Sequence, residues 1–294
     1  MITETRERKR TLLWVFSGIL LALILLEVVL LLNIQMPKPE DEEPIIVPAT
    51  AAVPSTETTA DTEPTTVPTT ESPIPLSRFT EEDFQYIGEY LGCTAADYML
   101  GVDVSKYQGE VNWEQVRQAG MEFAMIRVGG RGYGQEGKMY TDPMADANYQ
   151  GAKAAGLLVG AYFFSQATNA EEAVEEAQYA LELTQNWELD MPIVFDWEYI
   201  SQEARTANIG PDVLTECAKA FCEEIIAAGK EPMIYVCPWF FLPNLEELTQ
   251  YKQWLALYND EMSYQYHFDM WQYTSTAVVP GIQGDADVNI FFPN

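Results

Sequence analysis

The chain has one histidine, His267, in 294 residues, and only 16 Lys and Arg against 45 Asp and Glu. With a single imidazole, a His-rich zinc centre is excluded, and a Ser-His-Asp triad could be built only around His267. A formal charge of −29 repels phosphate backbones, which argues against nucleic acid as a partner. The four cysteines, Cys93, Cys217, Cys222 and Cys237, are too few and too scattered for a disulfide scaffold. Five positions apart on an expected helix, Cys217 and Cys222 are badly placed for a bridge. All four are read as buried thiols. No internal repeat is evident. Aromatic residues are plentiful for so acidic a chain, with 7 Trp, 16 Tyr and 13 Phe. They suit a core, and they also suit the faces of sugars.

Residues 11–32 form the one long apolar run, broken only by Glu27. Some 20 such residues cross a bilayer, so about the right length is present. Arg6, Arg8, Lys9 and Arg10 precede the run and acidic residues follow it. The positive-inside rule then gives a cytoplasmic segment 1–10 and a transmembrane signal anchor 11–32 that meets the lipid bilayer. Everything beyond lies outside a single-pass cell membrane protein. No Ala-x-Ala cleavage site follows, which favours a retained anchor over a removed signal. Residues 33–77, rich in Pro, Thr and Glu, read as a disordered linker. As a coil it would reach roughly 35–40 Å. Residues 78–98 read as a short helical lead-in, with Thr80 capping a helix over Thr80–Leu91 that opens with Glu81, Glu82 and Asp83.

From residue 99 to 294, β-branched runs alternate with helical stretches. Strands are expected at Leu100–Val104, Phe123–Val128, Leu157–Phe164, Met191–Trp197, Pro232–Cys237, Trp254–Tyr258, Phe268–Tyr273 and Ala286–Phe291. Helices are expected at Trp113–Ala119, Asp142–Ala155, Asn169–Trp187 and Pro211–Ala228. Eight strands with helices between the early ones predict an α/β fold, an irregular TIM-like β/α barrel. In such barrels the chemistry sits at the C-terminal ends of the strands.

The segment Ile193-Val194-Phe195-Asp196-Trp197-Glu198-Tyr199 ends an apolar strand in two carboxylates at i and i+2. Alternation projects both from one face, with Cα atoms roughly 6.5–7 Å apart. Like charges this close raise the pKa of one partner, pairing a protonated acid with an ionised neighbour, as glycosidic cleavage requires. The other strand ends contribute Asp103, Arg127, Tyr162, Tyr235, Tyr258, Trp271 with Gln272, and Asp287. A barrel would gather them into a cleft of carboxylates and aromatics suited to a neutral, hydroxyl-rich substrate. Two motifs are set aside. Gly132-Tyr133-Gly134-Gln135-Glu136-Gly137 is a literal Gly-x-Gly-x-x-Gly, but it opens no helix and reads as a flexible rim loop. Asp285-Ala286-Asp287-Val288-Asn289 resembles the start of a calcium loop, yet Ile290 occupies the position that needs glycine. No metal and no cofactor is called for.

Residues 99–294 resemble the family 25 glycoside hydrolases, lysozymes of the Chalaropsis type. The resemblance rests on Gly101-Val102-Asp103-Val104-Ser105 with Tyr107-Gln108-Gly109, Trp113, and Phe123-Ala124-Met125-Ile126-Arg127. It continues through Asp142 and Asn148, Ala155-Gly156-Leu157-Leu158-Val159-Gly160-Ala161-Tyr162, Asp196-Trp197-Glu198, Tyr235, Trp271-Gln272-Tyr273 and Asp287-Val288-Asn289. One departure is Met144, where the family usually has an aromatic. The resemblance implies a muramidase that cuts the β-1,4 bond after N-acetylmuramic acid in peptidoglycan glycan strands. It implies Glu198 as general acid and Asp196 steadying the acetamido group or the developing positive charge. Asp103 and Asp287 would tune Glu198, and Tyr162, Tyr235 and Trp271 would contact the sugar. Retention, inversion and participation of the acetamido group stay open, because Cα spacing does not set carboxyl spacing. The competing readings are a wall-binding module without turnover and a hydrolase of another acetamido polysaccharide such as chitin.

Overall fold

The computed structural model describes residues 74–258 and 262–293. The expected cytoplasmic segment 1–10, the anchor 11–32 and nearly all of the linker 33–77 lie outside these residues. Among the described residues, no helix is long and apolar enough to cross a membrane.

The strands, in chain order, are β1 (Phe84–Ile87), β2 (Tyr90–Cys93), β3 (Met99–Val104), β4 (Phe123–Arg131), β5 (Met139–Thr141), β6 (Leu158–Ser165) and β7 (Ile193–Trp197). They are followed by β8 (Pro232–Val236), β9 (Lys252–Ala256), β10 (Met270–Ala277) and β11 (Ala286–Phe291). The sheet order β3-β11-β10-β9-β8-β7-β6-β4 closes through a β3–β4 pairing, which makes an eight-stranded barrel, and β5 adds to the edge of β4. All eight barrel strands fall where the sequence pattern put them, within a few residues. Pairing is parallel around the barrel except at β11, which runs antiparallel to both β10 and β3. The start of β11 therefore lies at the rim where its neighbours end. That reversal is how Asp287, at the beginning of its strand, joins residues from the ends of the others.

Helices α1 (Trp113–Gln118), α2 (Ala145–Ala154), α3 (Ala170–Leu183) and α4 (Pro211–Ala227) follow β3, β5, β6 and β7. Their boundaries follow local chemistry. Asn112 and Asn169 cap α1 and α3 by accepting from the N–H of Gln115 and Glu172, and Pro211 opens α4. Beyond β8, the helices among the described residues are the four-residue α5 (Pro238–Phe241) and a 3₁₀ stretch, and among these residues no helix covers β10 and β11.

The lead-in takes over that cover, and it does so as a hairpin rather than the helix expected over Thr80–Leu91. Thr80 does cap a turn, its N–H and hydroxyl both donating to Asp83. The turn is a single 3₁₀ turn, after which β1 and β2 pair antiparallel around Gly88-Glu89, with Gly88 at φ +72°. A glycine first in a two-residue loop selects a hairpin turn, and this local signal overrides the acidic helix start. Phe79 and Phe84 pack on Trp271 and Phe292 of the barrel wall, and the Tyr273 hydroxyl accepts from the Leu91 N–H. The last residues of the expected linker are also engaged: Leu76 bridges Tyr266, and Ser77 N–H donates to the Gln265 carbonyl.

Two apolar clusters divide the wall. The larger lies between strands and helices, and the smaller fills the barrel with Phe123, Met125, Val194, Met233, Trp254, Met270 and Phe291. Of the thiols, Cys93, Cys217 and Cys222 are buried, whereas Cys237 is half-buried, because it sits just past β8 at the open rim. Gly101 makes the filling possible. It pairs directly with Phe123, and a Cβ there would stand 2.5 Å from that ring. Gly101→Ala is expected to destabilise the domain by about 1–3 kcal/mol through overpacking, read as a lower urea midpoint with an unchanged slope.

Candidate active site

Alternation along each strand decides which side chains enter the barrel mouth. On β3 and β11, Asp103 and Asp287 are direct cross-strand partners. On β7, Asp196 faces inward and pairs with Tyr235 of β8. Glu198, one residue beyond β7, keeps the same phase. On β4, Arg127 is level with Tyr162 of β6, and the ladder slips by one residue just after it. Such a bulge re-aims the side chains around it, and bulges favour the surroundings of active sites. The four expected acids and the expected arginine thus converge at one end of the barrel.

Neutral donors hold the floor of this cleft. Asp103 Oδ2 accepts from Gln272 Nε2 at 2.7 Å and from Asn289 Nδ2 at 2.8 Å. Asn289 Oδ1 in turn accepts from the indole N–H of Trp254 at 2.8 Å, which fixes the amide's orientation. Gln272 Oε1 lies 2.6 Å from the Tyr235 hydroxyl and 2.8 Å from the Tyr258 hydroxyl, and the two hydroxyls are 2.7 Å apart. Two protons serve these three short contacts. Tyr235 and Gln272 are therefore engaged beneath the acids, and Tyr258, half-buried, is the member of the trio nearer the opening. Tyr162 lies edge-on to Trp254.

Trp271 corrects the sequence reading. Trp271 and Gln272 were both expected to line the cleft, but adjacent residues of one strand face opposite ways. Gln272 takes the inner face. Trp271 points outward and is fully buried, with its N–H on the Leu257 carbonyl and its ring edge-on to Phe84 at 5.0 Å. It is part of the wall under the hairpin and has no path to a sugar.

Arg127 is set by a residue that the sequence reading took as a helix start and as part of the family resemblance, without a role in the site. Buried Asp142 accepts from Arg127 Nε at 2.8 Å and from the Lys106 and Met144 N–H groups, while the guanidinium lies over the Tyr107 ring at 5.0 Å. The Asp-Pro pair before α2 was the available signal for Asp142. For Asn289 it was the i, i+2 relation to Asp287. The glycine motif at 132–137 is the loop of the β4–β5 hairpin, closed by Gly132 N–H on the Lys138 carbonyl, and it opens no helix.

One arginine does not neutralise four carboxylates. Burial first, then the charge of Asp103, raise Glu198 to about 7, with Arg127 opposing. Glu198 is half-buried by surface, so the water it retains moderates this rise. Burial raises Asp103 to about 6, against the pull of Asn289 and Gln272. Asp196 and Asp287 are raised well above the carboxylate range, Asp196 by burial and then Glu198, and Asp287 by burial and then Asp103. Asp196 Oδ1 is buried and has no hydrogen-bond partner among the described residues.

Residues 102–282 match the model of glycosyl hydrolases family 25. The chain belongs to that family. Lysozyme M1 of Streptomyces globisporus is 28% identical over 210 residues, covering 65% of this chain and 67% of the relative. The crystal structure of the bacterial lysozyme of Streptomyces coelicolor superposes with a TM-score of 0.55 at 26% identity, covering 67% of this chain and 93% of that one. A family 25 glycosyl hydrolase of Bacillus anthracis superposes with a TM-score of 0.58, at 20% identity, over 71% of this chain and 95% of that one, and so shares the fold. This family 25 member is accordingly a glycoside hydrolase.

The raised acids couple activity and stability to pH. Glu198 binds its proton more tightly folded, at about 7, than at its ordinary 4.5. Its contribution to stability is complete below about 4.5 and is lost as pH rises to about 7. The melting temperature is expected to be higher at pH 5 than at pH 8, and Glu198→Gln is expected to shrink that difference, measured by thermal denaturation of both proteins across the range.

Proposed function

We propose that residues 99–294 are a muramidase that hydrolyses the β-1,4 bond between N-acetylmuramic acid and N-acetylglucosamine in peptidoglycan. Glu198 is the general acid in this reading. The observation that supports it is the place of Glu198: a carboxyl raised to about 7, beside Asp196, at the barrel mouth where Asp103 adds its charge and faces Asp287. The lysozyme relatives support the same substrate.

Asp196 and Glu198 hold a proton between them in the free enzyme, since two carboxylates so close do not both ionise. A bound 2-acetamido sugar donates its N–H to the Asp196 carboxylate. That contact favours the charged form of Asp196 and leaves the proton on Glu198. Glu198 then protonates the leaving oxygen as the C1–O bond breaks, and the acetamido carbonyl oxygen attacks C1. Water, deprotonated by the Glu198 carboxylate, opens the resulting ring and restores the acid. Asp103, ionised above about 6, keeps the mouth negative while C1 becomes positive. Tyr258 and Arg127 flank the sugar, and Tyr162, Tyr235 and Gln272 support the floor. A covalent sugar trapped on Asp196 would contradict this route.

The soluble portion, residues 78–294, incubated with purified peptidoglycan, is expected to release new reducing ends, with an alkaline limb near pH 7 set by Glu198. Glu198→Gln is expected to lower that rate at least about 100-fold. Turnover that survives this change sinks the assignment of the acid. Wall binding with no release points instead to a binding module, and faster release from chitin points to another polymer.

The apolar run 11–32 places this hydrolase at the outer face of the cell membrane, where it reaches only nearby wall. The support is the sequence pattern alone: the basic residues before the run and the acidic residues after it. The native protein is expected in the membrane fraction and to resist extraction by salt. Recovery mainly from the culture medium would overturn the anchor.

A further inference from the structure

Glu198 stands at the first position of an irregular segment of 13 residues, 198–210, between β7 and α4. Loops of this length usually move, and a general acid must not. One side chain ties the segment down at the acid itself. Gln166, fully buried just past the end of β6, donates from Nε2 to the backbone carbonyl of Glu198 at 3.0 Å and to that of Ser165 at 2.9 Å. Its Oε1 accepts from the buried Thr206 hydroxyl at 2.7 Å, farther along the same segment. Two carbonyls on one side and a hydroxyl on the other leave the amide a single orientation.

The far end of the segment is clamped as well. Arg205 grips Glu172, near the start of α3, through two bonds of 2.9 and 2.6 Å, and donates to the Gln166 carbonyl at 3.0 Å. Its own N–H donates to the Tyr133 carbonyl in the β4–β5 hairpin, whose Gly137 leaves room for the guanidinium. Glu172 is lowered to about 2 by Arg205 and the Thr168 donors, against its burial, so this pair stays charged wherever the enzyme works. Ile200 and Ala204 close the top of the segment against Phe164 and Tyr133.

We infer that Gln166 is a positioning residue for the reaction: oriented by Thr206 and backed by Arg205, it fixes the peptide of Glu198 and so the direction of the acid side chain. The inference rests on the reading of Glu198 as the acid. Gln166 touches no substrate in this arrangement and acts only through the main chain of Glu198.

Two near-isosteric variants test it, Gln166→Met and Thr206→Val, compared with Glu198→Gln by single-substrate kinetics on soluble muropeptide oligomers. Gln166→Met keeps the volume and removes the bonds, and Thr206→Val frees the amide to turn. Both are expected to lower kcat about 10–100-fold with KM changed by less than about twofold, because a small misplacement of a reacting group costs about that much. The alkaline limb is expected to move to lower pH, as Glu198 swings toward water and loses its desolvation. Should Gln166→Met be too unstable to assay, Thr206→Val carries the test alone. Loss of activity only in proportion to loss of folded protein, with the pH limb in place, overturns the inference, as does an unchanged kcat. Activity retained in Glu198→Gln would instead sink the reading of the acid, so the two failures are distinguishable.

Discussion

Like-charge crowding at the barrel mouth is the constraint around which the rest of the structure is arranged. Asp103 and Asp287 face each other across the β3–β11 pair, and Asp196 and Glu198 stand beside them. Directly opposed like charges weaken a sheet, and burial makes them costlier. The fold tolerates the arrangement because the groups need not all be charged. Burial and mutual repulsion keep protons on them near neutrality, and a retained proton is what a general acid needs. The feature that weakens the barrel is thus the one that equips it.

The surroundings answer this constraint in two ways. Below the acids, donors are supplied by neutral groups, the amides of Gln272 and Asn289 with the indole of Trp254 behind them. Neutral donors orient Asp103 without neutralising the site, whereas a second arginine would pull every acid down. Arg127 is itself held back by Asp142, so its charge reaches the mouth partly compensated. Beside the acids, the Arg205–Glu172 clamp stays charged through neutrality, because Glu172 is lowered to about 2.

The wall outside shows how an irregular barrel completes itself. Helices cover the early strands, but among the described residues none follows β9 or β10. The hairpin Phe84–Cys93 and Phe79 fill that gap with an aromatic cluster on Trp271 and Phe292. Residues before the barrel in sequence are therefore part of its wall, and Trp271 belongs to that cluster.

Much of this was legible in the chain. Eight short β-branched runs separated by helical stretches, with carboxylates at the strand ends, point to an α/β barrel with an acidic mouth, because such patterns are local properties. The Asp196-Trp197-Glu198 spacing alone put two acids on one face. What no local rule carried was decided by closure. The reversal of β11 set Asp287 against Asp103, and the inner face of β10 went to Gln272 rather than Trp271. Buried Gln166 and Thr206 became supports of Glu198. Each depends on partners 30 to nearly 200 positions away in sequence, and hydrogen bonds at that separation exist only once the chain has folded.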